Sequence, residues 1–297
     1  MQTVMVFVCV TALIQFGLQW DRVQPEKPPC QAGPCAAGAA GQWASMTSGT
    51  VYKPLQCQRA PIHTAEKAAV INAGKAKSGT LLIVGANIGN DKHDPIWPIV
   101  SGEEVKHLDK VYVEPVPPTF KKLQNNLQSI PRAQAVHAVI ANQSGVLPFY
   151  CIGLNMTTGT TTREAKRLGG RSWWSECCSL SRERFWSDYD MGKTLKQRQA
   201  IQHLVMEIKV PAYTPEAFMK AYVKSPVLYL SIDAESLDDV ILANFPFESN
   251  PSFRPAAVVF EYTTLGRQRI DAALMRLQRV GYTSCKKEEQ NIIVFHR

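Results

Sequence analysis

The stretch Thr80-Leu-Leu-Ile-Val-Gly-Ala-Asn-Ile-Gly-Asn-Asp91, taken with Val111-Tyr-Val-Glu114 after it, decides the fold. A short, continuously apolar run ending in a glycine turn reads as a parallel strand buried on both faces. The second run ends in a carboxylate. Gly85 and Gly89 carry no Cβ, so the turn can adopt positive φ and let backbone N–H groups approach a ligand. A carboxylate at the end of the next strand suits the two hydroxyls of an unphosphorylated ribose. The spacing is Gly-x-x-x-Gly, not the Gly-x-Gly-x-x-Gly of a dinucleotide fold, and nothing in it is suited to a pyrophosphate.

From this pair of strands the pattern extends in both directions. Helices are predicted over 64–77, 117–127, 237–244 and 270–280, and strands over 81–84, 110–113, 133–140, 227–232 and 256–260. A strand over 146–152 stands outside the alternation. The end of the chain, 282–285 and 292–295 around Lys286-Lys-Glu-Glu-Gln-Asn291, reads as an antiparallel hairpin. Repeated strand–helix units require right-handed crossovers. The expected fold class is therefore α/β, a doubly wound, mostly parallel sheet with a C-terminal antiparallel hairpin.

The 297 residues, 45% of them apolar, suffice for a full core. The net charge of +8 is interleaved with acids, as in Arg182-Glu183-Arg184 and Lys286-Lys287-Glu288-Glu289, which reads as solvated surface and excludes a nucleic-acid partner. Residues 4–20 form an apolar run of about 17 residues, the lower limit of a membrane span. They are read as a signal anchor or signal peptide, giving a possible membrane tether and a membrane-associated or secretory location, with a cytoplasmic chain as the alternative. Residues 21–60, rich in Pro, Gly and Ala, read as a linker. The domain proper is then 61–297. The eight cysteines show no tetrahedral ligand spacing, so no metal site is expected. In a luminal chain some would pair, Cys30 with Cys35 first. Asn142-Gln-Ser144 and Asn155-Met-Thr157 are sequons of little weight.

Asp233 and Glu235 follow the strand at 227–232 directly, where a carboxylate can orient a hydroxyl, accept its proton or hold a metal. Acids there also suit an ordinary helix N-terminus. Together the segments Val84-Gly-Ala-Asn-Ile-Gly89, Val113-Glu-Pro-Val-Pro-Pro-Thr-Phe120, Ala138-Val-Ile-Ala-Asn-Gln-Ser-Gly145, Ile232-Asp-Ala-Glu235 and Phe260-Glu-Tyr262 resemble the FkbM family of S-adenosylmethionine-dependent methyltransferases. The resemblance covers about residues 78–297, with an insertion at 157–207, and its sheet, the class I methyltransferase sheet, ends in an antiparallel strand. It implies an O-methyltransferase acting on a hydroxyl of a carbohydrate or small metabolite, with S-adenosyl-L-methionine as cofactor. Gly85, Ala86, Asn87 and Gly89 would hold the methionine end, Glu114 the ribose, and Ala138, Val139 and Asn142 would flank adenine. Asp233 is the first candidate for the catalytic acid–base role, followed by Glu235, Glu261 and His93, the last chosen for its position after the glycine turn.

Three positions depart from the family pattern: Ile83 replaces an acid that helps hold the cofactor's amino end, Ser231 a lysine and Ser236 a glycine. They imply reduced activity, or a noncatalytic glycan- or partner-binding protein that retains the fold. The insertion carries Trp173-Trp174, Phe185-Trp186 and an excess of Arg and Lys, which suit a sugar or anionic glycan acceptor.

Overall fold

Two buried layers of apolar side chains, one on each face of a central sheet, organise the chain. In a computed structural model, residues 53–90, 96–187, 194–235 and 237–297 are described. The elements in order are β1 Gln58–Arg59, α1 Thr64–Ala73, β2 Thr80–Val84, α2 Trp97–Val100, β3 Asp109–Val113, α3 Pro117–Asn126, β4 Ala133–Val136, β5 Val139–Ile140 and β6 Gly145–Ile152. There follow α4 Arg163–Arg167, β7 Cys178–Ser179, α5 Arg184–Ser187, α6 Leu195–Ile201, β8 Val205–Tyr213, α7 Pro215–Tyr222 and β9 Val227–Ile232. The last elements are α8 Asp238–Asn244, β10 Ala257–Glu261, α9 Arg267–Arg279, β11 Tyr282–Lys287 and β12 Asn291–His296.

The central sheet runs β1-β11-β12-β10-β9-β2-β3-β4. Strands β4, β3, β2, β9 and β10 are parallel, and β12 is antiparallel to both β10 and β11. The fold is thus mixed α/β with a mostly parallel central sheet, and the hairpin predicted for the C-terminus is present. Every residue of β2 is buried. The two-residue period of a strand sends Leu82 and Val84 to one face and Leu81 and Ile83 to the other. The first face packs on Phe218 of α7, Ile241 and Leu242 of α8 and Leu274 and Leu277 of α9. The second packs on Val70 of α1, Val100 of α2 and Leu123 of α3. Helices therefore cover both faces. Strand order reverses between β2 and β9, since the chain builds outward from β2 to β4 on one side and from β9 to β10 on the other. That reversal opens a crevice at the carboxyl ends of β2 and β9.

Three expectations need correction. The strand predicted over 133–140 is two strands in different sheets: β4 ends the central sheet, and after His137 and Ala138 the chain turns into β5, which pairs with β8. His137 Nε2 lies 2.9 Å from the Pro115 carbonyl at this break. β5 belongs to a second sheet, β5-β8-β6-β7, which contains the extra strand predicted at 146–152 and also β8, which was not predicted. Finally, residues 57–59 are part of the domain rather than linker. β1 pairs with β11, and Cys57 is disulfide-bonded to Cys285. A second disulfide, Cys151–Cys178, fastens the insertion to β6. The expected Cys30–Cys35 pair and the apolar run at 4–20 lie outside the described residues; among those that are described, no helix is long and apolar enough to cross a membrane.

Candidate functional site

The turn after β2 is held from three directions. Gly85 and Ala86 N–H both donate to the Val113 carbonyl at the end of β3 (3.0 Å each), Gly89 N–H closes the turn on the Ala86 carbonyl (2.9 Å), and Asn126 Nδ2 reaches back from α3 to the Ile88 carbonyl (2.9 Å). Gly85 has φ +79°, and a Cβ built on it would stand 1.6 Å from the Asp233 carbonyl oxygen. Only glycine lets the ends of β2 and β9 approach this closely, and Asp233 N–H completes the contact by donating to the Val84 carbonyl (2.9 Å).

Glu114, only 5% exposed, ties the second strand to the first. Its Oε2 accepts from Asn87 N–H (3.0 Å) and its Oε1 from Val116 N–H (2.8 Å). Each oxygen keeps a further lone pair for a hydroxyl donor. Burial pushes the Glu114 carboxyl up to about 8; the two N–H donors work against that rise, and the charge of Asp233 adds to it.

These groups open onto a cavity of about 890 Å³ at the crevice. Glu66, Glu114, Glu176, Asp233, Glu235, Glu261, Glu288 and Glu289 line it, and no lysine or arginine does among the described residues. In a chain of net charge +8 this local excess of acid is a property of the site. Depth in the protein, then the carboxylates of Glu261, Glu66 and Glu176, raise Asp233 to about 7. Its side chain is nonetheless exposed to the cavity. Water screens it there, and a ligand that expels the water strengthens the shift. Glu261 is raised by burial, against the hydroxyls of Thr263 and Thr264 that donate to it.

Beneath them Asp238 is fully buried. Its Oδ1 accepts from Ala234 N–H and Glu261 N–H (3.3 Å each), which joins the turn after β9 to the end of β10. Its Oδ2 has no hydrogen-bond partner among the described residues. Burial, then Asp233 and Glu261, hold its carboxyl well above the usual range.

Most of the expected site residues converge. Gly85, Ala86, Asn87, Gly89, Glu114, Ala138, Val139, Asp233, Glu235 and Glu261 all line the cavity. Asn142 does not: it is exposed beyond β5, because the chain turns into the second sheet before reaching it. His93 and Ser236 lie outside the described residues. The insertion contributes Ser172, Trp173, Ser175, Glu176, Cys177 and Cys178 to the wall and, among the described residues, none of its cations, so that part of the wall does not have the basic character expected for an anionic acceptor. Trp173, 42% exposed, offers a flat apolar face there. Sequence reasoning missed Asp238, Glu66, Glu288 and His63. Acids in a first helical turn and in a charged hairpin resemble solvated surface, and no local signal separates the two cases.

Compared with known protein families, curated proteins and solved structures, the chain finds no match.

Proposed function

We propose that the chain is an S-adenosylmethionine-dependent O-methyltransferase acting on a hydroxyl of a carbohydrate or small metabolite. The observation that carries this reading is the carboxylate-lined crevice at the strand-order reversal, to which no lysine or arginine among the described residues contributes, with Glu114 bridging the glycine turn. Such a lining favours a cationic ligand and opposes a pyrophosphate, which separates a sulfonium nucleoside from a nicotinamide dinucleotide. The order β4-β3-β2-β9-β10 followed by an inserted antiparallel β12 agrees with the class I methyltransferase sheet.

Gly85 to Gly89 would take the methionine end, Glu114 the ribose hydroxyls, and Ala138 and Val139 one side of adenine. When bound, the cofactor supplies an electrophilic methyl group on a positively charged sulfur. The chain's own task is to align the acceptor oxygen and remove its proton. Asp233, at the mouth of the turn and raised to about 7, is suited to accept that proton near neutral pH. The Trp173 face suits the apolar side of a sugar ring.

The test is transfer of labelled methyl from S-adenosylmethionine to a panel of glycans and small alcohols. Asp233→Asn is expected to lower kcat by about 10²–10⁴. With Asp233 as base, the active form is the ionised one, so kcat at saturating cofactor falls about tenfold per pH unit below 7. A flat profile contradicts the assignment. Ile83, an apolar side chain in the cavity wall where the resembled family carries an acid, favours a second reading in which the fold binds a glycan or partner without catalysis. Cofactor or glycan binding with no transfer in the same assay is the outcome that reading requires.

A further inference from the structure

A second constellation lies on the same cavity, built from other elements than the glycine turn. One ligand atom each from His63, Glu66 and Glu288 lies within 4.8 Å of the other two. His63 precedes α1, Glu66 is in its first turn, and Glu288 follows β11 in the hairpin. Glu288 is 5% exposed, and Ala65 N–H donates to its Oε1. Its other oxygen, Oε2, is buried with no hydrogen-bond partner among the described residues. Leaving a carboxylate oxygen in that state is costly unless a cation or proton meets it. The flanking lysines are turned elsewhere: Lys287 Nζ sits 3.9 Å from the centre of the Tyr262 ring, and Lys286 donates to Gln58.

We infer that His63, Glu66 and Glu288 bind a divalent transition-metal ion, Zn²⁺ or Mn²⁺, in the wall of the cavity. One imidazole nitrogen with carboxylate oxygens matches those ions better than Mg²⁺ or Ca²⁺, which take oxygen alone. Ligands ~2.1 Å from a tetrahedral ion stand ~3.4 Å apart, so atoms already within 4.8 Å of one another need to close by no more than about 1.4 Å. Three protein ligands leave a position for water or for an oxygen of a molecule in the cavity.

The surroundings are organised as a metal site requires. Tyr229 OH donates to Glu66 Oε1 (2.6 Å) and Asn291 Nδ2 to Glu66 Oε2 (3.4 Å), which fix that carboxylate's orientation. The Cys57–Cys285 disulfide and the β1–β11 pairing hold the segment that leads to His63 against the strand that leads to Glu288. His63 itself adopts a left-handed backbone conformation, φ 60°. None of this depends on the methyltransferase reading.

The decisive experiment titrates the chelator-treated full-length protein with MnCl₂ and, separately, ZnCl₂ by calorimetry, without any nucleoside. The wild type is expected to bind one more equivalent of Mn²⁺ or Zn²⁺ than His63→Gln, a difference that also sets aside any ion held by cysteines. Glu288→Gln, which keeps an acceptor for Ala65 N–H, is expected to weaken binding at least tenfold. Thermal melting checks both variants; if Glu288→Gln does not fold, the half-buried His63 decides. No binding of either ion by the wild type, or equal binding by wild type and His63→Gln, overturns the site.

Discussion

At the scale of single residues the site depends on carboxyl groups whose environments set them apart. Asp238 gives a prediction free of any assumption about ligands. Its folded carboxyl is held well above the ordinary range, so the folded state prefers the proton. Below the unfolded pKa of about 3.9 both states are protonated and the group costs nothing. As pH rises beyond that value the unfolded chain ionises while the folded one resists, and stability falls. Asp238→Asn keeps the acceptor oxygen used by Ala234 and Glu261 and removes the titration. Melting curves are expected to show little difference between variant and wild type near pH 3.5 and a higher Tm for the variant at pH 8, about 2–4 °C for each kcal/mol relieved. A variant less stable at pH 8 would show that the Asp238 carboxylate is needed in charged form. Asp238 was not recognisable in the sequence, because the same Asp-Asp pair suits any helix start. Gly85 and Glu114 were recognisable, because a glycine turn after an apolar run and an acid closing the next run are local signals.

At the scale of elements, the short strand β1 matters more than its two exposed residues suggest. Beside the two ladder positions and the bonds from Ala60 N–H to the Lys287 carbonyl and from Lys286 to Gln58, the Cys57–Cys285 disulfide, which closes a loop of 228 residues, is the covalent part of that attachment. Cys57→Ser is expected to lower the free energy of unfolding by about 2–4 kcal/mol in denaturant titrations, with most of the difference vanishing when both proteins are reduced. Equal stability of the oxidised proteins would mean the β1–β11 pairing suffices. Strands β2, β9 and β10 of the parallel core were legible because each is a compact, mostly apolar run. The second sheet was legible only at β6: β8 reads Val-Met-Glu-Ile-Lys-Val-Pro-Ala-Tyr, polar residues punctuate its apolar ones, and its partners are distant in sequence. Likewise β4 and β5 form one run on paper, and only tertiary pairing divides them.

At the scale of the whole molecule, a basic chain sets eight of its 25 acids around one crevice. The charge balance of the sequence points to a solvated surface, and Lys286 and Lys287, half-buried beside Gln58 and Tyr262, fit that description only in part. For Glu288 it fails, because the hairpin turns this side chain into the protein, and no period in the sequence marks which acid of a charged run will be buried. In the proposed reading the acidic crevice is the feature that separates the ligand classes. The most direct measurement of it is calorimetric titration of the purified protein with S-adenosylmethionine and, in parallel, with NADH. Saturable micromolar binding of S-adenosylmethionine, weakened about 10–100-fold in Glu114→Ala through loss of hydrogen bonds to a carboxylate, is expected, with no binding of NADH. Tight binding of NADH, or S-adenosylmethionine affinity unchanged by Glu114→Ala, would contradict the central claim that this crevice holds a cationic nucleoside on Glu114.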